Sequence, residues 1–255
     1  MSWNWEVFCK STLEDDFSPV CFGTGGEITY IDWMVSAWGW TLTVSAIGLV
    51  VAMILGIVMG TLRTLPSDSW LTKLLIAIAN CWVELFRNIP VLVQVFLWYH
   101  VVPALLPGMK ALPSFILVSL ALGFFTSARI AEQVRAGIGA LPKGQRFAAM
   151  AVGLTTLQSY RYVILPMALR VVIPPLTSES MNIIKNSSVA FAVSVADLTL
   201  FAMQAQEETS RGIEIYLGVT LLYVVSALVV NRAMSFVEAK TRVPGFIAAA
   251  NSGCH

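Results

Sequence analysis

The chain has 255 residues, of which 57% are hydrophobic and 12% charged, and its formal net charge is +1. A soluble domain carries about twice that charged share, so the composition excludes an ordinary water-soluble domain and makes lipid the solvent. The near-neutral balance excludes a global basic field for nucleic acid, and any electrostatic recognition has to be local.

Residues 1–33 read as a leader. Glu6, Glu14, Asp15, Asp16, Glu27 and Asp32 stand there against Lys10 alone, the reverse of a signal peptide's basic start. Trp3, Trp5, Trp33, Trp38 and Trp40 read as interfacial anchors. The leader suits an outer cap. The cysteines, Cys9, Cys21, Cys81 and Cys254, show no metal-ligand spacing. Cys9 and Cys21 either pair in an oxidising compartment or remain two free thiols.

A membrane span needs about 20 mostly apolar residues. Five segments are predicted: residues 34–62, 71–106 with an interruption at 87–90, 113–135, 179–203 and 215–236. In the first, Gly56 and Gly60 form a small-xxx-small face that admits a second helix closely. In the second, Pro90 suits a first helical turn with Asn88 as N-cap, giving two helices; a proline kink is the alternative. Setting the N-terminus outside puts Arg63, Lys73, Arg87, Arg135, Lys143, Arg146, Arg161, Arg170, Lys185, Arg232, Lys240 and Arg242 at the cytoplasmic side, and only Lys10, Lys110 and Arg211 outside.

Between the third and fourth segments lies KGQRFAAMAVGLTTLQSYRYVILP, residues 143–166. Phe147, Met150, Ala151 and Leu154 follow i, i+3, i+4, i+7 and predict one apolar stripe on a short helix over 145–152. Gly153 suits a left-handed helix end. Thr155-x-x-Gln158 is a capping box opening a second helix, which Pro166 blocks or kinks. Physics alone leaves three readings of this helix–turn–helix: an amphipathic loop lying on the lipid surface, a ridge that fits a groove on another protein, or a DNA reader, which a single loop tethered between spans suits poorly because it has no core of its own.

The stretch resembles the cytoplasmic coupling loop of ABC importer permeases, with Ala148-Ala149 for the two alanines, Gly153 for the glycine, and Ile164, Leu165 and Pro166 closing the pattern; Phe147 stands where that pattern has glutamate. Phe86-Arg87-Asn88-Ile89-Pro90-Val91-Leu92-Val93-Gln94, Ala131-Glu132-x-x-Arg135-x-Gly137-Ile138 and Lys185-Asn186-Ser187-Ser188 are similar to segments of the polar amino acid subfamily, the glutamate/aspartate permeases above all. The resemblance covers about residues 34–240. It implies an all-α polytopic membrane protein of about five transmembrane helices with a cytoplasmic helix–turn–helix coupling loop (137–170), a leader (1–33), a permease domain (34–242) and a cytoplasmic tail (243–255). It also implies a bacterial inner-membrane location, with the N-terminus periplasmic and the C-terminus cytoplasmic, and import of a polar, acidic amino acid.

The same resemblance implies partners: a dimer of ATP-binding subunits, a second permease subunit (identical or paralogous) and a periplasmic amino-acid-binding protein, all within a lipid bilayer, with no nucleic acid and no cofactor. ATP hydrolysis would belong to the partner, since no GxxxxGK[ST] phosphate loop occurs in this sequence. The ATPase-docking residues so implied are Phe147, Ala148, Ala149, Met150, Gly153, Leu154, Leu165 and Pro166. Two rival functions share the sequence: a stand-alone secondary transporter and a membrane scaffold.

Polar residues inside apolar segments are costly in lipid and face a cavity or a partner helix. Arg129 stands out, because a guanidinium holds a carboxylate in two-pronged fashion. Glu132, three residues on, either neutralises it within the helix or competes with substrate for it. Thr126, Ser127, Asn182, Asn186, Ser187 and Ser188 complete the candidate substrate path, with hydrogen bonds between helices as the alternative role of each. Asp197 falls in the fourth apolar segment at an undecided depth.

Overall fold

The computed structural model describes residues 5–12, 21–22 and 28–241, without the side chain of Lys143. Trp3, the acidic run Glu14-Asp15-Asp16, Glu27, Arg242 and the tail, with Cys254, lie outside the described residues. Among those residues the chain is helical, and the single β feature is a bridge between Ser11 and Thr29. In chain order the helices are α1 (Tyr30–Leu62), α2 (Trp70–Asn88), α3 (Val91–Phe96), α4 (Val102–Leu105), α5 (Ser114–Gly139), α6 (Lys143–Ala151), α7 (Thr156–Ser159), α8 (Leu165–Asn186), α9 (Leu198–Thr209) and α10 (Gly212–Thr241).

Four stretches are long and apolar enough to cross a membrane: Tyr30–Leu62, Ser114–Gly139, Thr156–Val193 and Gly212–Thr241. Trp70–Asn88 and Val91–Leu105 pass that test only together, which makes five spans if the pair is one. The chain is therefore an all-α polytopic membrane protein, as the apolar runs require: in lipid every backbone group must find its partner inside the helix.

Two boundaries differ from the sequence reading. Asn88 is not a cap; it is the last residue of α2, Ile89 is extended at φ −92° and ψ 128°, and Pro90 takes the N-cap position of α3 with no side-chain bond. Proline forces the residue before it out of the helical region, so the break falls one residue later than a capping asparagine would set it. The fourth span starts earlier than residue 179 and runs from Thr156 through Pro166, Pro174 and Pro175 to Val193. A π-helical turn at Tyr160–Ile164 precedes Pro166. Wide turns of this kind take up an interrupted hydrogen-bond ladder.

The chain packs as two compact units, each built from three stretches. The first comprises Met1–Gly48, Pro90–Leu122 and Ile183–Leu228. Its core joins Tyr30 and Ala37 of α1, Leu198, Phe201, Ala202 and Ala205 of α9, and Ile215 and Val219 of α10. The leader belongs here. Val7, Phe8 and Cys9 are buried, Phe8 lies against Gly218, Cys9 is disulfide-bonded to Cys21, and the Tyr30 hydroxyl donates to Glu208 Oε2 at 2.8 Å. Trp33 and Trp38 do more than anchor an interface: Trp33 packs edge-on to Phe201, and Trp38 Nε1 donates to Ser226 Oγ.

The second unit comprises Leu49–Ile89, Gly123–Asn182 and Val229–His255. Ala52, Ile130, Val134, Val172 and Leu176 form one core cluster, and Val83, Ala128 and Ala131 another. The small-xxx-small face of α1 is used as the spacing predicts. A Cβ on Gly56 would lie 2.6 Å from Ile130 Cβ, and one on Gly60 would lie 2.6 Å from the Ala131 carbonyl oxygen and 2.7 Å from Val134 Cβ. Backbone oxygen cannot rotate away, so Gly60→Ala is expected to lower the melting temperature of the purified protein, by the ~1–3 kcal/mol typical of overpacking. Gly39→Ala, whose Cβ meets nothing within 4 Å, is expected to cause no loss; equal effects at the two positions would refute close packing at Gly60.

Candidate functional site

The loop between α5 and α8 belongs wholly to the second unit. Its first helix, α6, ends as predicted: Gly153 has φ +84°, its N–H donates to the Met150 carbonyl, and the Leu154 N–H donates to the Ala149 carbonyl. This double bond at a helix C-terminus requires a left-handed residue, which glycine supplies without steric cost. Thr155 then opens α7 with a complete capping box: its hydroxyl accepts from the Gln158 N–H, and the Gln158 side chain accepts from the Thr155 N–H. The Tyr160 hydroxyl donates to the Thr64 carbonyl just beyond α1, tying the loop to the end of the first span. A cleft of about 230 Å³ at the root of α6 is lined by Thr64, Leu141, Gln145, Arg146, Tyr160 and Ile164.

The apolar ridge is bare. Phe147 is 68% exposed and Met150 51%, with Ala148 and Gly153 also exposed and Leu154 half-buried. Ala149 is buried against its own chain, Leu165 is half-buried in the first turn of α8, and Pro166 is exposed. Sequence periodicity missed two members of the same surface: Val152 and Leu157, each 78% exposed. They flank the turn and fall off the 3.6-residue stripe.

The polar candidates divide between the units. In the second, Arg129 on α5 meets Glu179 on α8. Arg129 Nη2 donates to Glu179 Oε1 and Nε lies against Oε2, both at 3.0 Å, a two-pronged contact. Gln133 Nε2 donates to the same Oε1 at 3.0 Å. The Glu179 side chain is 5% exposed and that of Arg129 41%, so the carboxylate is sealed while the arginine side chain stays partly open, and its guanidinium has donors beyond those that hold Glu179. Arg129 lies ten residues before the end of α5, about 15 Å of helix rise inside the span.

Glu132 does not pair with Arg129. It is held by Arg63 and Arg87 from other helices and by Arg135, its i+3 neighbour toward the C-terminal end of α5. Glu179 had no local signature in the sequence: it lies in the polar stretch Thr177-Ser178-Glu179-Ser180, and its partner is fifty positions away. Of the other candidates in this unit, Ser127 accepts from Trp82 Nε1 and donates to the Phe124 carbonyl, Thr126 Oγ1 is buried with no hydrogen-bond partner among the described residues, and Asn182 is half-buried.

In the first unit, Ser187 and Ser188 donate to the Ile184 and Lys185 carbonyls of their own helix, and Asn186 is half-buried at the end of α8. Asp197 is fully buried as the N-cap of α9, accepting from the Leu200 N–H at 3.0 Å. Burial pushes its carboxyl up to about 6, against the pull of the Leu200 and Thr199 backbone groups. In sequence it falls between the candidate spans Thr156–Val193 and Gly212–Thr241.

Residues 52–243 match the family model described as "Binding-protein-dependent transport system inner membrane component". The chain is 39% identical to the glutamate/aspartate import permease protein GltJ of Escherichia coli (strain K12), over 96% of this chain and 97% of that one. It is 34% identical to the probable glutamine ABC transporter permease protein GlnM of Bacillus subtilis (strain 168), over 78% of this chain and 88% of that one. A crystal structure of an amino acid ABC transporter with histidines contains a chain similar to this one, with a TM-score of 0.70, 29% identity, and coverage of 83% of this chain and 95% of that one.

Proposed function

This chain belongs to the family of binding-protein-dependent transport system inner membrane components, as the permease subunit of an amino-acid ABC transporter, and we propose that its cargo is an acidic amino acid moved into the cytoplasm. Family membership makes it the non-catalytic, multi-pass membrane component, and implies an ATPase, a substrate-binding protein and a second permease subunit as partners. In the proposed arrangement the N-terminus faces the periplasm and the loop at 143–166 faces the cytoplasm, the side favoured by the lysine and arginine count. The exposed ridge of Phe147 and Met150, with Val152, Leu157 and the half-buried Leu154 beside it, docks in the ATPase subunit. ATP-driven movement of that subunit reaches the spans through α7 and the Tyr160–Thr64 tie.

One observation carries the choice of an acidic cargo. An arginine sits well inside a span, with its own counter-ion sealed and its own side chain partly open. Such a group adds a second carboxylate contact that a neutral side chain does not use. The relative named for glutamate and aspartate agrees with this reading, while those named for glutamine make the amide the natural competitor. In reconstituted importer, glutamate or aspartate is expected to drive uptake-coupled ATP hydrolysis at concentrations at least tenfold below glutamine. Equal or reversed preference would overturn the acidic assignment and leave the amino-acid permease in place.

A further inference from the structure

Three arginines converge on one carboxylate where α1, α2 and α5 end. Arg63 Nη1 donates to Glu132 Oε1 at 2.8 Å, Arg87 Nη1 reaches the same oxygen at 3.4 Å, and Arg135 Nε donates to Oε2 at 3.0 Å. Arg63 Nε is further held by Asn80 Oδ1 at 2.7 Å. One negative charge against three positive ones leaves two in surplus. The other carboxylate near this end of α2, Glu84, is exposed and makes no ion pair among the described residues. The Arg63 side chain is enclosed at 13% exposure, whereas Arg87 and Arg135 are about half open at 52% and 49%. Each guanidinium has five N–H donors, so most of the donors on the two open ones remain for an outside acceptor.

Depth narrows the class of acceptor. Arg63 directly follows the last residue of α1, Arg87 is one residue from the end of α2, and Arg135 is four from the end of α5, about 6 Å of rise. These positions match the head-group layer rather than the hydrocarbon. The apolar stripe of α2, Leu71, Leu74, Ile78, Cys81 and Leu85, runs along the face of that helix away from Arg87 and takes no part in the site.

We propose that Arg63, Arg87 and Arg135 form a binding site for the phosphodiester head group of an anionic phospholipid. Guanidinium groups match phosphate oxygens in a forked geometry, and basic sites between membrane helices at this depth are the type that takes such head groups.

The test uses the assembled transporter, with bound lipids counted by native mass spectrometry after exchange into nanodiscs of phosphatidylglycerol or of phosphatidylcholine. The parent protein is expected to retain phosphatidylglycerol and not phosphatidylcholine, and Arg87→Gln with Arg135→Gln to lose at least one retained phosphatidylglycerol per chain. Arg87→Lys with Arg135→Lys keeps the charge and is expected to retain it, which separates loss of charge from loss of fold. Single Arg87→Gln, which removes only the longest of the three contacts, serves if the double variant does not assemble. Unchanged phosphatidylglycerol retention in the glutamine variants would overturn the site. So would arginine-dependent binding of inorganic phosphate with no lipid discrimination, which would make it a soluble-anion site, or loss of the ATPase subunit with lipid retention unchanged, which would make it a protein contact.

Discussion

Gly153→Asp is expected to reduce ATP-driven uptake at least tenfold while the chain stays inserted and folded. Two observations separate these effects. A Cβ at this position meets nothing within 4 Å of its own chain, so the substitution creates no internal clash. The backbone sits at φ +84°, where an L-residue costs roughly 1–2 kcal/mol, although aspartate is among the residues that tolerate it best. The rest of the effect comes from a negative charge and a branched side chain placed at the C-terminal end of α6, in the middle of a bare apolar ridge. A carboxylate at a helix C-terminus also opposes the helix dipole, by about 0.3–1 kcal/mol. Both penalties are small beside the loss of an apolar docking surface that has to be desolvated against a partner. The measurements are membrane insertion, uptake in proteoliposomes, and stimulation of ATP hydrolysis by loaded binding protein. Parent-like uptake by the variant would remove this turn from the coupling pathway. Gly153→Ala adds the backbone strain without the charge and is expected to fall between the two.

The second large effect is expected at the Arg129–Glu179 pair. Arg129→Ala leaves Glu179, whose side chain is 5% exposed, with Gln133 as its remaining partner on α5. Stranding a buried charge costs about 3–5 kcal/mol, so alanine confounds assembly with transport. Two other variants are decisive. Arg129→Lys keeps the charge and loses the fork. Arg129→Gln with Glu179→Gln removes both charges together, which is far milder than removing one. Both are expected to assemble. The half-saturating concentration for acidic amino acids should rise by one to two orders of magnitude, the loss typical of one or two charge-assisted hydrogen bonds, with a smaller effect on glutamine. If the double glutamine variant assembles and imports acidic amino acids with unchanged kinetics, the pair is a structural clasp between α5 and α8 and nothing more.

What the sequence determined by itself is whatever is encoded within one turn of helix. The left-handed Gly153, the capping box of Thr155 and Gln158 and the glycine face of Gly56 and Gly60 were all legible, because each depends on residues three or four apart or on one residue's backbone freedom. The membrane class was legible for a cruder reason: the transfer energy of an apolar run is a sum over its residues and needs no partner. Tertiary structure decided the pairings. Fifty positions separate Arg129 from Glu179, and 69 separate Arg63 from Glu132; no periodicity connects them, and the nearby alternative, Arg129 with Glu132, was locally as sensible. The pairing of Cys9 with Cys21 was open for the same reason, since a sequence separation of 12 allows either outcome. Pro166 shows the converse: a strong local stop signal was overridden, because a wide helical turn and the apolar surroundings of the span let the helix run on. Local chemistry selects the conformations available to each segment, and charge and hydrogen-bond partners are chosen only when packing brings distant helices side by side.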